Sequence, residues 1–346
     1  MSTLHPTVVP TPNKAIPPEE WFHKPPFKAK SFFIAFCLLV LLAWTGHNTE
    51  IPRMMGLLGD WGLDVIGVKE NSQVGAGFQK VGEDLFPLVI ADKTPVSRLE
   101  NFDPENLPRF SRIEIQEVRE MTMNSDTFEM VETVSEVEYL VEPVGYLQHV
   151  LKKMVETLEI AIWGTVISLI VSAPLAYLSA RNYTPHVIFY QGARALVGML
   201  RSVPELISAL FLVLAFGFGP IAGILALGLH SAGFLGKFFA EDIENAEKGA
   251  QEALLSLGTS KPKVLWYAVM PQVLPSYVAY TLYILDRNVR MASVIGIVGA
   301  GGIGQELKGR YDMFNYGHVA TILLVLFITV FALDQFSAQI RKKLIR

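Results

Sequence analysis

The residues from Glu241 to Pro275 read EDIENAEKGAQEALLSLGTSKPKVLWYAVMPQVLP. This stretch, called segment 241–275 below, follows the apolar run Ile221–Ala240 and leads into the apolar run Pro271–Val294. About 20 apolar residues cross a bilayer as a helix, so both runs are long enough to span a membrane. Segment 241–275 is too polar to span. We therefore expect it to project from the bilayer between two membrane helices.

Two short helices are predicted inside this segment. Gly258 ends the first, because glycine adopts the left-handed conformation of a helix C-terminus without steric cost. Thr259 or Ser260 caps the second, with Pro262 in its first turn, and Pro271 opens the next membrane helix. On the residues alone, an amphipathic connector lying on the membrane surface remains an alternative.

The whole chain has the composition of a membrane protein. Of its 346 residues, 51% are hydrophobic and 18% are charged, whereas soluble domains average about 25% charged residues. We expect an all-α polytopic membrane protein with a core of five helices, an N-terminal anchor helix and a small β-containing extracytoplasmic insert. The predicted spans are Ser31–Thr45 for the anchor and, for the core, Glu156–Ala180, His186–Phe216 (interrupted at Pro204), Ile221–Ala240, Pro271–Val294 and Val319–Phe336.

Four regions follow from this pattern. Residues 1–30 are polar and rich in proline, which predicts a disordered cytoplasmic tail, and residues 31–46 form the anchor. Residues 47–149 form an acidic periplasmic module, and residues 150–346 form the core, with helices near 241–270 that project into the cytoplasm. A cleaved signal peptide is the alternative to the anchor, but no clear small-residue cleavage site follows it.

The module at 47–149 contains 19 acidic and 8 basic residues, although the net charge of the whole chain is only −4. Apolar residues alternate with polar ones between Phe110 and Pro143, which predicts strands, and Asn124, Ser125 and Asp126 supply turn residues between them. The module is therefore expected to be β-rich in part. The basic excess elsewhere flanks membrane-length runs, so it does not indicate a nucleic-acid partner.

The placement of Lys and Arg predicts the orientation, because cytoplasmic loops carry an excess of these residues. With a cytoplasmic N-terminus, Arg181, the stretch Lys237–Lys263 and the basic C-terminal tail are also cytoplasmic. A smaller number of basic residues then falls outside, against the rule: Lys152, Lys153, Lys308 and Arg310.

Segment 241–275 resembles the cytoplasmic coupling loop of ABC importer permeases. The pattern of that loop is Glu-Ala-Ala, three residues, Gly, nine residues and Ile-x-Leu-Pro. Glu252, Ala253, Gly258 and Pro271 match it at the right spacing. Leu254, Ala268 and Met270 replace the third alanine, the isoleucine and the leucine, and keep small or apolar character.

A closer resemblance is to the phosphonate-type branch of these permeases. It extends over residues 146–346, because several motifs recur in the same order: ETLEIAIWGTVISLIVSAPLAYLSARN (156–182), RSVPELISA (201–209), GPIAGILALGLHSAGFLGKFFAEDIE (219–244) and SVIGIVGAGGIGQEL (293–307). The tail, the anchor and the acidic module are covered less well.

This resemblance implies a non-enzymatic permease that forms a homodimer in the inner membrane. It implies two ATPase subunits, which bind ATP and Mg on the cytoplasmic face, and a periplasmic substrate-binding protein. The cargo would be a phosphonate or a related phosphorus oxyanion. Glu252, Ala253, Gly258 and Pro271 would then couple the permease to the ATPase. The alternatives are a permease of the same architecture for another solute such as methionine, a membrane receptor, and a carrier that works alone.

Ionisable residues inside membrane runs are costly and indicate function. Pro204 interrupts a run and frees backbone groups beside Arg201, Ser202 and Glu205. Together with His230 and Arg290, these three residues are predicted to line a polar path suited to an anion. The alternative is structural ion pairing, Arg201 with Glu205 and Asp286 with Arg290, or an Arg290 side chain that reaches toward the interface.

Residues 299–304 formally match the dinucleotide pattern G-x-G-x-x-G. A membrane-length run precedes them instead of a soluble strand, so we reject a nucleotide site. The glycines are instead expected to let an irregular segment pack closely near the outer face. Residues 231–238 lack the first glycine and the final Ser or Thr of a Walker A loop, so any ATP-driven role needs a partner. We predict no catalytic residue and no metal site.

Overall fold

The structure is a computed structural model. It describes residues 29–68, 72–99, 102–104, 107–108, 110–123 and 130–344. Nearly all of the predicted tail and the predicted turn at 124–126 lie outside the described residues. The chain divides into two compact units, residues 1–81 and residues 82–346.

The first unit contains the predicted anchor. Helix α1 (Ala29–Asn48) is followed by α2 (Ile51–Val65) at an angle of 70°, and α3 (Gln73–Leu85) begins after it. The side chains of α1 are apolar and exposed nearly all round, as expected of a helix whose neighbours are lipid tails. Together, α1 and α2 are long and apolar enough to count as one broken span.

A helical bundle makes up most of the second unit. Its helices are α4 (Gly145–Ser179), α5 (Val187–Ser202), α6 (Glu205–Phe216), α7 (Pro220–Asn245), α8 (Lys248–Ser256), α9 (Lys261–Val264), α10 (Met270–Gly296), α11 (Ile303–Asp312) and α12 (Tyr316–Leu344). Among the described residues, four helical stretches are long and apolar enough to cross a membrane, and counting each bent pair as one span raises the number to six. Six is also the predicted number of spans. The second bent pair is α5 and α6, which meet at 90° where Pro204 was expected to interrupt the run.

The bundle has two ends with different neighbours. At one end, where α4 and α12 begin, the Gly219 N–H just before α7 donates to the Gly299 carbonyl after α10, at 3.0 Å. We call this the sheet end, because a small sheet lies there. At the other end, where α4 and α7 finish, Asn182 Nδ2 donates to the Glu244 carbonyl at 3.3 Å. Segment 241–275 begins at that second end, so it lies on the opposite side of the bundle from the sheet.

The sheet has three antiparallel strands in the order β1-β3-β2. The strands are β1 (Asp92–Pro95), β2 (Arg112–Met123) and β3 (Met130–Glu142). Thr94 of β1 and Ile113 of β2 both pair with Leu140 of β3, which is buried. The strands predicted between residues 110 and 143 are therefore confirmed, and β1 is a strand that the alternation of residues did not reveal.

Backbone hydrogen bonds seat the sheet on the bundle. The Leu147 N–H of α4 donates to the Ile90 carbonyl at 3.1 Å, and the Val89 N–H donates to the Gly317 carbonyl of α12 at 3.2 Å. The Thr321 hydroxyl of α12 donates to the Val89 carbonyl at 2.6 Å. The segment that leads into β1 is thus fixed to the first turns of two membrane helices.

A polar cluster closes the same end. The Glu306 carboxylate of α11 accepts from Arg310 Nε at 2.8 Å and lies 3.3 Å from His149 Nε2. Burial alone would raise the pKa of Glu306, but the hydrogen bond and charge of Arg310, together with His149, outweigh it and hold that pKa below its usual range. The Arg310 guanidinium also lies over the ring of Tyr146, 5.0 Å from its centroid. These contacts join α4 and α11.

The glycine-rich loop between α10 and α11 serves packing. Gly299, Gly301 and Gly302 all have positive φ, which glycine adopts readily. The Gly302 N–H donates to Glu156 Oε1 at 3.0 Å, and the Ile303 N–H donates to Thr157 Oγ1 at 2.8 Å. Side chains of α4 therefore accept hydrogen bonds from the N–H groups at the start of α11. The helix that precedes the loop, α10, is long enough to cross a membrane. This arrangement agrees with rejecting a nucleotide site here.

A buried amide network holds the middle of the bundle together. Asn288 of α10 accepts from the Ser231 hydroxyl of α7 at 2.8 Å and donates to Thr165 Oγ1 of α4 at 3.0 Å. All three side chains are buried. Inside lipid, such bonds satisfy polar groups that have no access to water, and here they fix the mutual position of three helices.

Segment 241–275 differs from its prediction in one respect. Gly258 ends α8 with a φ of 75°, and Ser260 precedes α9, as expected. However, α9 is not a separate helix, because it continues through a π-helical turn at Leu265–Val269 directly into α10. Pro271 explains the wide turn: it has no N–H to offer the Tyr267 carbonyl, and its ring would crowd that carbonyl in a regular α-helix.

We predict that Gly304→Ala destabilises the protein. A methyl group at Gly304 would meet the Ser293 carbonyl and the Cα of Gly296, and such overpacking costs about 1–3 kcal/mol. Thermal unfolding of the purified protein in detergent would measure the loss.

The control is Gly309→Ala in the same helix, where an added methyl group meets nothing within 4 Å. Exchanging glycine for alanine in a helix gains about 0.5–1 kcal/mol, so this variant should unfold at the same or a higher temperature. Equal destabilisation of both variants would show that the α10–α11 contact is not tight.

Candidate functional site

The bend between α5 and α6 presents polar groups inside the bundle. Pro204 forces Val203 into an extended conformation, with φ −83° and ψ 122°, and the helix stops at Ser202. The Val203 carbonyl, which has no helical partner, accepts a hydrogen bond from His230 Nδ1 of α7 at 2.9 Å. A side chain of a facing helix thus satisfies the backbone group that the proline frees.

Three charged or polar side chains meet beside this bend. Glu205, the first residue of α6, forms an ion pair with Arg287 of α10. His230 Nε2 lies 3.2 Å from the Glu205 carboxylate and 2.9 Å from Arg287 Nη2. Because His230 Nδ1 donates to a carbonyl, the neutral imidazole can accept from Arg287 through Nε2. Residues Glu205, His230 and Arg287 are called the bend cluster below.

Arg201 lies next to the bend cluster but does not pair with Glu205. Its guanidinium carbon is 5.8 Å from the ring centroid of Phe234, and that of Arg287 is 4.7 Å from the same centroid. An aromatic face attracts cations, so Phe234 holds two guanidinium groups close together. Arg287 is neutralised by Glu205, whereas Arg201 has no acidic partner among the described residues.

The remaining predicted path residues, Ser202 and Arg290, have bonds only within their own helices in the described part of the chain. The Ser202 hydroxyl donates to the Met199 carbonyl of its own helix at 2.9 Å. Arg290 pairs with Asp286 one turn earlier in α10, at 2.8 Å. The structure therefore brings Arg201, Glu205 and His230 together, and it gives Arg290 the partner that the alternative interpretation named, although within one helix rather than between helices.

Sequence reasoning missed Arg287 and Phe234 as parts of this site. The run Asp286–Arg290 contains two arginines, and nothing in the sequence shows which of them faces α6 and α7. The sequence partly indicates Phe234, because this residue follows His230 by four positions and the two therefore lie on the same face of α7.

The predicted coupling residues all belong to segment 241–275, which begins at the end of the bundle opposite the sheet. Glu252, Ala253, Gly258 and Pro271 are all exposed. Two large apolar side chains of the same segment are also uncovered, Leu257 at 81% and Trp266 at 66% exposure. An exposed apolar patch with polar neighbours is typical of a protein-binding surface.

Residues 172–346 match the family model of the binding-protein-dependent transport system inner membrane component. The chain belongs to this family. It is therefore a multi-pass permease of the inner membrane, and its family works with a separate binding protein and an ATPase.

Two curated relatives of this chain are permeases named for phosphite transport. The permease is 57% identical over 261 residues to the putative phosphite transport system permease protein HtxE of Stutzerimonas stutzeri, an alignment that covers 75% of this chain and 100% of HtxE. It is 44% identical to the phosphite transport system permease protein PtxC of the same organism, over 56% of this chain and 70% of PtxC.

A solved structure has the same fold. A chain of the MetNI methionine ABC transporter in an inward-facing conformation superposes with a TM-score of 0.50 at 25% identity, covering 59% of this permease and 99% of that chain. The predicted fold class, a helical permease core with a small sheet attached, is confirmed.

We predict that Glu205→Ala destabilises the permease strongly. The substitution leaves the partly buried Arg287 guanidinium without its counter-charge, and removing one partner of a buried pair costs about 3–5 kcal/mol. Thermal unfolding in detergent would record this loss.

Asp312→Asn provides the control, because it removes an exposed ion pair with Lys308 in which both side chains are about half exposed. Exposed pairs contribute about 0–1 kcal/mol, so this variant should unfold close to the wild type. Similar unfolding of the Glu205→Ala and Asp312→Asn variants would contradict a structural role for the bend cluster.

Proposed function

We propose that this chain is the membrane permease of an ATP-driven importer for a phosphonate or a related phosphorus oxyanion, with phosphite as the first candidate. The observation that carries the proposal is the 57% identity to HtxE over the whole of that protein. HtxE and PtxC are both named as phosphite transport permeases. Methionine, the cargo named for the structural neighbour and for one further relative, is supported only by identities of 25% and 24%.

The bend supplies chemistry suited to an oxyanion. Arg201 is a cation that no described carboxylate neutralises, and it lies at a break in α5–α6 where backbone groups are not all used by helix bonds. An arginine guanidinium binds phosphorus oxyanions through two parallel hydrogen bonds. In this proposal Arg201 contacts the cargo, and the bend cluster holds the α6 side of the path in place. Ser202 and Arg290 remain candidate path residues, at the bend and on α10.

The orientation of the permease is part of the proposal. The basic residues Arg181, Lys261 and Lys263 and the C-terminal end of α12 lie at the end of the bundle where α4 and α7 finish. Under the positive-inside rule that end is cytoplasmic. The sheet end, with most of the acidic module 47–149, then faces the periplasm, where the binding protein delivers cargo.

Segment 241–275 is proposed to dock on the ATPase. The exposed apolar residues Leu257 and Trp266 lie on either side of Gly258 in the sequence, and Glu252 before them is also exposed. The segment therefore offers apolar side chains together with carboxylates. ATP hydrolysis then belongs to that partner. Two copies of the permease and two ATPase subunits complete the proposed complex.

We expect phosphite to drive ATP hydrolysis in the assembled complex. The permease, the ATPase and the binding protein would be reconstituted in proteoliposomes, and ATPase activity and uptake would be measured with phosphite, methylphosphonate, phosphate and methionine. At least one phosphorus oxyanion should raise ATPase activity above its basal rate and accumulate in the vesicles.

Two outcomes would overturn the proposal. Stimulation by methionine and by none of the oxyanions would reassign the cargo. Uptake by the permease alone, without the ATPase, would indicate a carrier that works by itself.

We also predict that Arg201→Gln slows uptake while the complex stays assembled. A hydrogen bond to a charged group contributes about 1.5–3 kcal/mol, which corresponds to a loss of about 10–100-fold in apparent cargo affinity. Arg201→Lys keeps the charge and should retain part of the uptake. Normal uptake by the Gln variant would reduce Arg201 to a structural cation.

A further inference from the structure

Another ion pair between helices, Arg194 with Glu244, lies at the proposed cytoplasmic end of the bundle, away from the bend. Arg194 of α5 donates through Nη2 to both oxygens of the Glu244 carboxylate in α7, at 3.0 Å each. Arg194 Nε donates to the Ser179 carbonyl at the end of α4, also at 3.0 Å. One guanidinium therefore joins three membrane helices, with two of its nitrogens in fixed directions.

Glu244 is the centre of this arrangement. One of its carboxylate oxygens also accepts from the Arg181 N–H at 2.7 Å, and its carbonyl accepts from Asn182 Nδ2 at 3.3 Å. Both donors belong to the loop between α4 and α5. The last turn of α7 is thus bonded to that loop as well as to Arg194.

A parallel set of bonds ties α8 to the same loop. The Tyr183 hydroxyl donates to Gln251 Oε1 of α8 at 2.8 Å, and Tyr183 is buried. Gln251 Nε2 donates to the carbonyls of Ala246 and Glu247, at 3.1 and 3.0 Å. The first helix of segment 241–275 is consequently bonded to the α4–α5 loop, in addition to its covalent connection to α7.

Helix α5 connects this end to the bend. Arg194 and Arg201 are seven residues apart, so they lie on the same face of α5, about 10 Å apart along its axis. Gly233 of α7 packs against the backbone of α5 at Val197 and Arg201, where a Cβ would be too close. A displacement of the Arg194 end is therefore carried along α5, whose following turns are held closely against α7 at Val197 and Arg201.

We propose that Arg194 and Glu244 are positioning residues that carry movement of segment 241–275 to α5 and so to the bend at Pro204. The inference rests on the proposed docking of that segment on an ATPase. It adds the route inside the permease: α8 moves the end of α7 and the α4–α5 loop, and Glu244 passes this movement to Arg194.

Substitutions at both ends of the ion pair test the route. Arg194→Gln and Glu244→Gln each remove the charge–charge contact and keep side-chain size. In proteoliposomes with the ATPase and the binding protein, each should keep basal ATP hydrolysis but lose about tenfold or more of the cargo molecules taken up per ATP hydrolysed. The double variant should be no worse than either single variant, because both remove the same contact.

Glu241→Gln is the matched control. Glu241 lies three residues before Glu244 in α7 and pairs with Lys237 of the same helix at 3.5 Å. Loss of that pair does not disconnect one helix from another, so uptake per ATP should stay at the wild-type ratio. Arg194→Lys keeps the charge but cannot donate to Glu244 and to the Ser179 carbonyl at the same time from a planar group, so its uptake per ATP should lie between that of the wild type and that of the Gln variants. This variant provides a readout if the Gln variants assemble poorly.

The outcomes separate this inference from the proposed function. Unchanged uptake per ATP in both Gln variants, or a ratio in the double variant that is the product of the two single losses, would overturn the route. Glu252→Lys serves as the docking variant. If it leaves cargo-stimulated hydrolysis intact, the proposed docking surface is wrong, whereas unchanged uptake per ATP in the Arg194 and Glu244 variants contradicts only the route inside the permease.

Discussion

A backbone carbonyl that cannot be left unpaired in lipid organises the centre of this permease. Pro204 stops α5 and leaves the Val203 carbonyl without a helical donor, and His230 of α7 supplies one. That bond fixes the imidazole, which then contacts both members of the Glu205–Arg287 ion pair. The bend, the facing helix α7 and the charged residue of α10 are thereby locked into one arrangement. The position of Arg201 follows from it, because Phe234 holds Arg201 beside Arg287.

The two ends of the bundle differ in the contacts that hold them together. At the sheet end, backbone bonds and capping side chains hold loops against helices, as with Glu156 and Thr157 at the start of α11. At the end where α4 and α7 finish, Arg194 and Glu244 join separate helices, and Leu257 and Trp266 are exposed. The first arrangement suits a fixed platform, and the second is where the proposed docking surface and the proposed route along α5 begin.

Much of the fold could be predicted from local signals. The break at Pro204, the helix end at Gly258 and the strands between 110 and 143 each depend on the conformational limits of a few neighbouring residues, so the sequence alone predicts them. The separate second helix before Pro271 was a wrong prediction, because a π-helical turn lets the chain pass the proline without stopping. Whether a helix stops or widens at a proline depends on packing that adjacent residues do not reveal.

The site was harder to predict than the fold. Arg201, Glu205 and His230 were identified because ionisable groups in apolar runs are rare. Their contacts could not be predicted in the same way, because Glu205 forms its ion pair with a residue of α10 that is 82 positions away along the chain. Such partners depend on which faces of three helices meet. Arg287 and Arg290 lie in one short run and differ in role only because one faces the bend and the other does not.

The small sheet is attached to the bundle mainly by hydrogen bonds between main-chain groups, which join Leu147 to Ile90 and Val89 to Gly317. Main-chain groups are present whatever the side chain, so substitutions along this seam leave the attachment in place. Gly317 is an exception, because a Cβ there would press on the Pro87 carbonyl. The side chains on the outward face of the sheet can therefore change without altering how the sheet is attached to the bundle.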